Sequence, residues 1–345
     1  MKKLKEIVFR WMRLSNRPVV KLYHGFGGNG QLVIYGHVLA ISPLPRKKYR
    51  QNVWTNTLAL IRLFMVKPIA GVEVLLNYEG AAVRATTDTD GFFRLQWKPA
   101  QMPAPGWHTV EVVIENGPSA SLKGISGEGE LLAPDPGQYA IISDIDDTFL
   151  ISHSSNLRKR LFVLLTQNAY SRQPFEDVVR HYQALAKAGS VNGGSNPFFY
   201  VSSSEWNLYN YILDFTRKNE LPKGVFLLSQ LKRLSEAWKT GQNKHATKFT
   251  RIVRILEAFP DQQFILLGDD SQQDPVIYAS VAEHFGTRIR AVYLRNVFPK
   301  NKAMVDTAIA GITAAGIPVC HFTHSREAIA HSAAIGLISP EQPLP

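Results

Sequence analysis

The stretch Tyr139-Ala140-Ile141-Ile142-Ser143-Asp144-Ile145-Asp146-Asp147-Thr148 decides how the second half of this chain folds. A short apolar run broken at once by acids reads as a buried strand that delivers carboxylates from its C-terminal end. Four similar runs follow: Phe198-Phe199-Tyr200-Val201, Val225-Phe226-Leu227-Leu228, Phe264-Ile265-Leu266-Leu267 and Ile289-Arg290-Ala291-Val292-Tyr293-Leu294. Helical patterns around 175–188, 206–219, 245–258 and 275–285 separate them. Strands alternating with helices predict a parallel sheet covered on both faces, with ligands bound at the carboxyl ends of the strands.

Upstream the rhythm is different. Gln31–Leu39, Gly71–Leu76, Ala82–Thr86, Phe92–Trp97 and His108–Ile114 are short alternating runs separated by Gly, Asp and Pro turns, which predict an antiparallel β-sandwich. The order of a threonine-rich strand, the turn Thr87-Asp88-Thr89-Asp90-Gly91 and a Phe-containing strand resembles transthyretin-like accessory domains. Gly25-Phe26-Gly27-Gly28-Asn29-Gly30 precedes a strand and opens no helix, so it lacks phosphate-loop geometry and reads as a flexible loop. The Gly- and Pro-containing stretch 115–137 reads as a linker. The expected organisation is therefore a basic amphipathic segment over 1–21, a β-sandwich over 22–130 and an α/β domain over 138–345. Within the last, Ser325 through Leu337 reads as a capped helix.

The chain has 345 residues, 45% of them apolar, and one cysteine. That excludes a disordered tail and a disulfide-stapled miniprotein. Cys320 cannot form an internal disulfide and reads as a small buried residue on a strand. No stretch reaches the about 18 apolar residues of a membrane span, and no secretory signal opens the chain, so a cytoplasmic location is expected. The net charge is +11, yet residues 1–21 and 46–67 each carry +6, leaving the rest at −1. Leu4, Ile7, Val8, Trp11 and Leu14 fall at helical spacing among lysines and arginines. Such a segment either packs on its own protein or lies at an anionic membrane surface as a peripheral anchor. No nucleic-acid-binding pattern accompanies the charge, so no nucleic-acid partner is expected.

Carboxylates at Asp144 and Asp146, leaving a sheet together, need a cation or a proton between them. A hard divalent ion such as Mg²⁺ would serve. A second acidic cluster, Gly268-Asp269-Asp270-Ser271-Gln272-Gln273-Asp274, ends another apolar run. Ser202-Ser203-Ser204 offers hydroxyls suited to phosphate oxygens, and Lys248 offers a positive charge.

These pieces in this order resemble the haloacid dehalogenase-like superfamily of phosphotransferases, with a Rossmann-like catalytic domain. Asp144, Asp146 and Thr148 match its D-x-D-x-T motif, Phe198 through Ser202 its second, Lys248 its third, and Gly268, Asp269 and Asp274 its fourth. The resemblance implies that Asp144 is the nucleophile of an aspartyl-phosphate mechanism and Asp146 the general acid and base. It also implies that Ser202 and Lys248 steady the phosphoryl oxygens. Mg²⁺ would be held by Asp144, Asp269 and the backbone carbonyl of Asp146, with Asp274 or Asp270 in support. An acid at Asp146 favours a phosphatase over an ATPase.

Tyr200-Val201-Ser202-Ser203-Ser204, Phe259-Pro260 and Asp274-Pro275-Val276-Ile277-Tyr278 narrow the resemblance to a phosphatidate phosphatase family known from fungi and bacteria. That family usually carries His-Lys where this chain has Thr247-Lys248, with His245 displaced, and Gly-Asp-Ser where it has Asp270. The resemblance implies hydrolysis of phosphatidate at an anionic phospholipid surface, which the basic N-terminal segments suit. A soluble phosphatase acting on a metabolite or phosphoprotein, and a non-catalytic membrane-binding scaffold, are the alternatives. The basic run over 151–175 reads either as an entrance for an anionic headgroup or as a solvated helix face. His153 and His181 read as structural or exposed.

Overall fold

A computed structural model describes residues 14–43, 61–135, 139–145, 148, 174–190, 194–231 and 244–339. The basic stretch up to Arg13, most of the second basic segment, Asp146, His153 and the run through Arg172 lie outside the described residues. The chain divides into two compact units, the first running to Pro134 and taking in Glu205–Leu208, the second beginning at Asp135.

The first unit is built of strands β1 (Leu14–Ser15), β2 (Val19–Leu22), β3 (Gly25–Gly28), β4 (Gln31–Pro43), β5 (Lys67–Pro68), β6 (Glu73–Tyr78), β7 (Ala81–Thr86), β8 (Phe92–Trp97), β9 (Gly106–Asn116) and β10 (Ser126–Ala133). Every second residue of the longer strands faces one core, including Leu32, Ile34 and Val38 of β4, Phe93, Leu95 and Trp97 of β8, and Val110, Val112 and Ile114 of β9. Pairing is antiparallel except where β10 runs parallel to β3. The amphipathic pattern does not reach Leu14 as a helix, because Leu14 pairs with Pro43 in the sheet and is buried.

Two further expectations are overturned here, both through glycine. Gly25–Gly28 is a strand, paired with β4 on one side and β10 on the other. A Cβ on Gly25 would stand 2.3 Å from the Val33 carbonyl oxygen, so the residue is glycine because the backbones meet closely. Asn29 and Gly30, with φ of 49° and 68°, then join β3 to β4, and Gly28 pairs with Gln31. Two left-handed residues at the tip of a two-residue hairpin are what a type I′ turn needs. Likewise the stretch read as a linker contains β10, which pairs with β9 from Ser126↔Val113 to Ala133↔Gly106. A Cβ on Gly127 would lie 2.1 Å from the Val20 carbonyl oxygen, and one on Gly129 2.6 Å from Leu22 Cβ. Gly127→Ala is therefore expected to cost about 2–3 kcal/mol, as overpacking against unyielding backbone does. Gly311→Ala is the control, since Gly311 is helical with nothing within 4 Å of its would-be Cβ. That change should stabilise by about 1 kcal/mol. Urea denaturation of both variants checks the pair.

The second unit comprises β11 (Ala140–Ser143), α1 (Val178–Lys187), β12 (Phe198–Glu205), α2 (Tyr209–Lys218), β13 (Gly224–Ser229), α3 (Lys244–Ala258), β14 (Phe264–Asp269), α4 (Asp274–Phe285), β15 (Ile289–Arg295), α5 (Lys302–Ala314), β16 (Val319–Phe322) and α6 (Ser325–Ala334). The strands lie in the order β13-β12-β11-β14-β15-β16. β11 runs parallel to both β12 and β14, and β14, β15 and β16 continue in parallel. In chain order within the sheet this is 3-2-1-4-5-6, the order of doubly wound sheets, whose direction of winding reverses between the first and fourth strands. That switch point falls between β11 and β14, where both acidic clusters emerge. The strands are almost wholly buried apolar runs, as a sheet covered on both faces requires. The helix α5 was not among the expected elements. Cys320 lies half-buried on β16, where burial pushes its thiol up to about 11, so it is an inert packing residue.

Each unit buries a neutral histidine. In the first, His37 meets the Tyr23 hydroxyl through Nδ1 at 2.9 Å. In the second, His181 Nε2 meets Ser332 Oγ at 2.9 Å, and the Tyr293 hydroxyl reaches the same oxygen at 2.6 Å. His181 is thus structural. Burial first, with nearby positive charge second, lowers both imidazoles from 6.5 to about 3. The unfolded chain binds these protons at about 6.5 and the folded one only near 3, so both groups cost stability as the pH falls across that window. Melting temperature should decline between pH 6.5 and pH 3 for this reason, and His181→Gln should shallow the decline.

Candidate active site

Four elements converge at the switch point. β11 ends in Ser143, and the Asp144 amide is tied sideways to the Leu267 carbonyl of β14 at 2.8 Å. The Ser143 hydroxyl donates to the Asp144 carbonyl at 2.6 Å and also meets the Tyr182 hydroxyl of α1 at 2.8 Å. The backbone that launches Asp144 is thereby fixed on two sides. β14 ends in Gly268 and Asp269, and α4 begins with Asp274. A Cβ on Gly268 would stand 2.8 Å from Asp274 Oδ2 and 2.8 Å from the Tyr278 ring. Glycine at 268 is what lets the Asp274 carboxylate settle against the strand end. α3 contributes Lys248.

The result is a buried knot of charge. Lys248 Nζ lies 3.0 Å from Asp144 Oδ1 and also contacts Asp274 Oδ1. Carboxylate oxygens of Asp144, Asp269 and Asp274 all fall within 4.8 Å of one another. Burial alone would discharge Lys248, but Asp144 and Asp274 on either side raise its pKa above the ordinary lysine value and keep it protonated. Asp269 is pushed the other way for a carboxylate, up to about 8, by burial and then by the charge of Asp274. Its Oδ1 accepts the Ser271 amide at 2.6 Å, and its Oδ2 accepts the Thr148 hydroxyl at 3.3 Å. Asp274 Oδ2 is buried with no hydrogen-bond partner among the described residues.

Three buried carboxylates against one ammonium leave excess negative charge, and Asp274 keeps an acceptor oxygen in hand. An all-oxygen donor set of this kind fits a hard divalent cation of the Mg²⁺ type. Asp144, Asp269 and Asp274 are the residues that would hold it.

Of the residues singled out from sequence, Asp144, Thr148, Lys248, Asp269 and Asp274 are brought together. Ser202 is buried on β12, and two residues past Tyr200, which pairs with Ser143, it stands level with the start of the Asp144 loop. Its hydroxyl accepts the Ser204 amide at 2.9 Å. Asp146 lies outside the described residues. Asp270, read as a supporting metal ligand, is engaged otherwise. Its Oδ1 accepts the Val297 and Phe298 amides at 2.7 and 2.8 Å, and its Oδ2 faces His321 Nε2 at 3.2 Å. Burial works against its charge, but these hydrogen bonds prevail and hold its carboxyl below the usual range. It braces the chain after β15, and Asp274 is the acid that completes the knot. Sequence reading passed over Arg295, a buried cation that donates to the Thr148 carbonyl at 3.0 Å. The available signal was a charge closing the apolar run Ala291–Leu294.

Residues 139–296 match the family model described as phosphatidate phosphatase APP1, catalytic domain. That segment is similar to the APP1 catalytic-domain family. Phosphatidate phosphatase APP1 of Saccharomyces cerevisiae is 28% identical over 160 residues, covering 46% of this chain and 26% of the yeast protein. An uncharacterised protein of Schizosaccharomyces pombe is 23% identical over 229 residues, covering 64% of this chain and 36% of that one. The chain therefore spans only about a quarter to a third of the length of these relatives. Among solved structures, a carbohydrate acetylesterase from Xanthomonas citri overlaps 92% of this chain and 75% of its own, at 10% identity and a TM-score of 0.30. A likeness that slight bears on neither fold nor function. The APP1 match contains all five gathered residues and ends one residue after Arg295.

Proposed function

We propose that the second unit is a divalent-metal-dependent phosphomonoesterase that works through an aspartyl-phosphate, with phosphatidate as its substrate. The observation that carries this reading is Lys248 held between Asp144 and Asp274, 3.0 Å from Asp144 Oδ1, at the switch point of a parallel sheet. An ammonium fixed beside a carboxylate supports this reading, because it can meet the phosphoryl group that the carboxylate attacks.

In the proposed sequence a carboxylate oxygen of Asp144 forms a bond to phosphorus while the ester oxygen departs with a proton from Asp146. Asp146 then takes a proton from water as that water attacks phosphorus, which frees inorganic phosphate and restores the Asp144 carboxylate. Lys248 and the Ser202 hydroxyl steady the non-bridging oxygens in both halves. A bound Mg²⁺ would offset the charge of the phosphoryl oxygens and orient them for in-line attack. The APP1 match and the two basic segments, over 1–21 and 46–67, support a lipid phosphate as substrate and an anionic surface as its setting. No described helix is long and apolar enough to cross a membrane.

Acid quench during turnover on a soluble aryl phosphate, followed by borohydride reduction, tests the mechanism. Reduction should convert the aspartyl-phosphate at position 144 to homoserine, detected in the peptide around Asp144. Steady phosphate release with unmodified Asp144 under the same quench would assign direct attack by water.

A further inference from the structure

Arg295 closes β15 directly across the parallel register from Asp269 and is 1% exposed. Its guanidinium is spread over three neutral acceptors from distant parts of the chain. Nε donates to the Thr148 carbonyl at 3.0 Å, one terminal nitrogen to the Thr323 carbonyl at 3.2 Å, and the other to Ser325 Oγ at 2.8 Å. The rings of Phe175 and Phe322 lie 4.2 and 4.8 Å from its central carbon. It forms no ion pair among the described residues, and burial lowers its pKa to about 10 against the opposing pull of Tyr182 and Asp269.

A fully buried cation held by neutral oxygens is a costly anchor, and a packed apolar side chain would be cheaper if cohesion were all that was needed. What the arrangement adds is direction. A planar fork with N–H groups at fixed angles can tie three segments in one geometry, which no flexible ammonium can do. The segment it ties first is the one that leaves Asp144. Thr148 is held at both ends, its carbonyl by Arg295 and its hydroxyl by Asp269 at 3.3 Å. The two gripping side chains are neighbours across β14 and β15. Together they hold Thr148 at the switch point, and Thr323 and Ser325 pin Arg295 from behind.

We propose that Arg295 is a positioning residue: by clamping the Thr148 carbonyl to Thr323 and Ser325 it sets Thr148 against Asp269, beside Asp144. It thereby makes the end of β16 and the start of α6 a working part of the site. Those elements lie beyond the residues the APP1 family model matches. The role in turnover rests on the phosphatase reading above, and hydrogen exchange supplies a readout independent of turnover.

The test compares the full-length chain with Arg295→Lys, which keeps the charge and loses the fork, and with Ser325→Ala, which removes a single strut. On a soluble aryl phosphate with Mg²⁺, kcat should fall about 100-fold in Arg295→Lys, the scale of a misplaced reacting group. It should fall about tenfold in Ser325→Ala, as for one lost hydrogen bond to a charged donor. KM should stay within about twofold in both, since neither side chain meets substrate. Amide exchange in a peptide covering 140–150 should quicken by about tenfold in both variants, while that covering 264–269 stays unchanged. Unaltered kcat and unaltered exchange at 140–150 would overturn the proposal. So would exchange that rises equally throughout the chain, which would make Arg295 a general support. If the wild-type chain releases no phosphate, the phosphatase reading fails separately, and selective loosening of 140–150 would still uphold the clamp while its absence would remove it.

Discussion

Asp144→Asn should abolish phosphate release, by about 10⁴-fold or more, with the protein still folded. The asparagine has nearly the same shape, and its side-chain oxygen can still accept from Lys248, which lies 3.0 Å from Asp144 Oδ1 in the wild type. What disappears is the charge that attacks phosphorus, and no other side chain can supply it from the same place. The fold should tolerate the change because the knot has carboxylates to spare. Asp144, Asp269 and Asp274 crowd within 4.8 Å, and when the charge of Asp144 is lost Asp274 still contacts the Lys248 ammonium. Phosphate release and thermal melting, measured on the same preparation, check both halves. Substantial residual turnover would show that Asp144 is not the nucleophile.

Lys248→Met is the second change with a large effect, and it strikes stability as well as rate. Its ammonium sits between Asp144 and Asp274 with both contacts buried. Removing it takes away the fixed charge that meets the phosphoryl group, for which a loss of about 10²–10³ in kcat is expected. It also leaves buried carboxylates uncompensated, the situation that costs about 3–5 kcal/mol when one partner of a buried pair is deleted. The sign of the pH dependence separates this from ordinary loss of packing. Asp269, already raised to about 8 by burial and Asp274, loses the opposing charge of Lys248, so the folded variant binds its proton still more tightly than the unfolded chain. The variant should accordingly recover stability relative to wild type as the pH is lowered from 8 towards 5. Melting curves at the two pH values check this, and a deficit that does not change with pH would point to packing alone.

The second unit was legible in sequence because its signals are chemical and coincide with strand ends. Apolar runs too short for helices each finish in a polar residue, and Asp144, Ser202, Asp269 and Asp274 all sit at such ends or just past them. Lys248 could be placed as the lysine on the helix before β14, through the resemblance to the family's third motif. The roles of Asp270 and Arg295 were hidden because both are settled by partners far away in the chain. Val297, Phe298 and His321 capture Asp270, and Thr148, Thr323 and Ser325 capture Arg295. The glycines misled for a related reason. Gly25, Gly127 and Gly129 read locally as flexible punctuation, yet each marks a place where two backbones approach too closely for a Cβ. Only the Asn29-Gly30 pair, which specifies a tight hairpin by itself, carried a local signal for β3 that could have been used.

The central claim is that this knot of carboxylates and lysine hydrolyses phosphatidate with the help of a divalent metal. It is tested most directly by inorganic phosphate release from phosphatidate in anionic mixed micelles, set beside release from a soluble aryl phosphate. Each substrate is offered with Mg²⁺ and again with EDTA. The predicted result is release from the micelles that EDTA stops and that exceeds release from the soluble ester. Metal-dependent release from the soluble ester alone would discard the lipid, and a folded protein silent on both substrates with Mg²⁺ present would contradict the account.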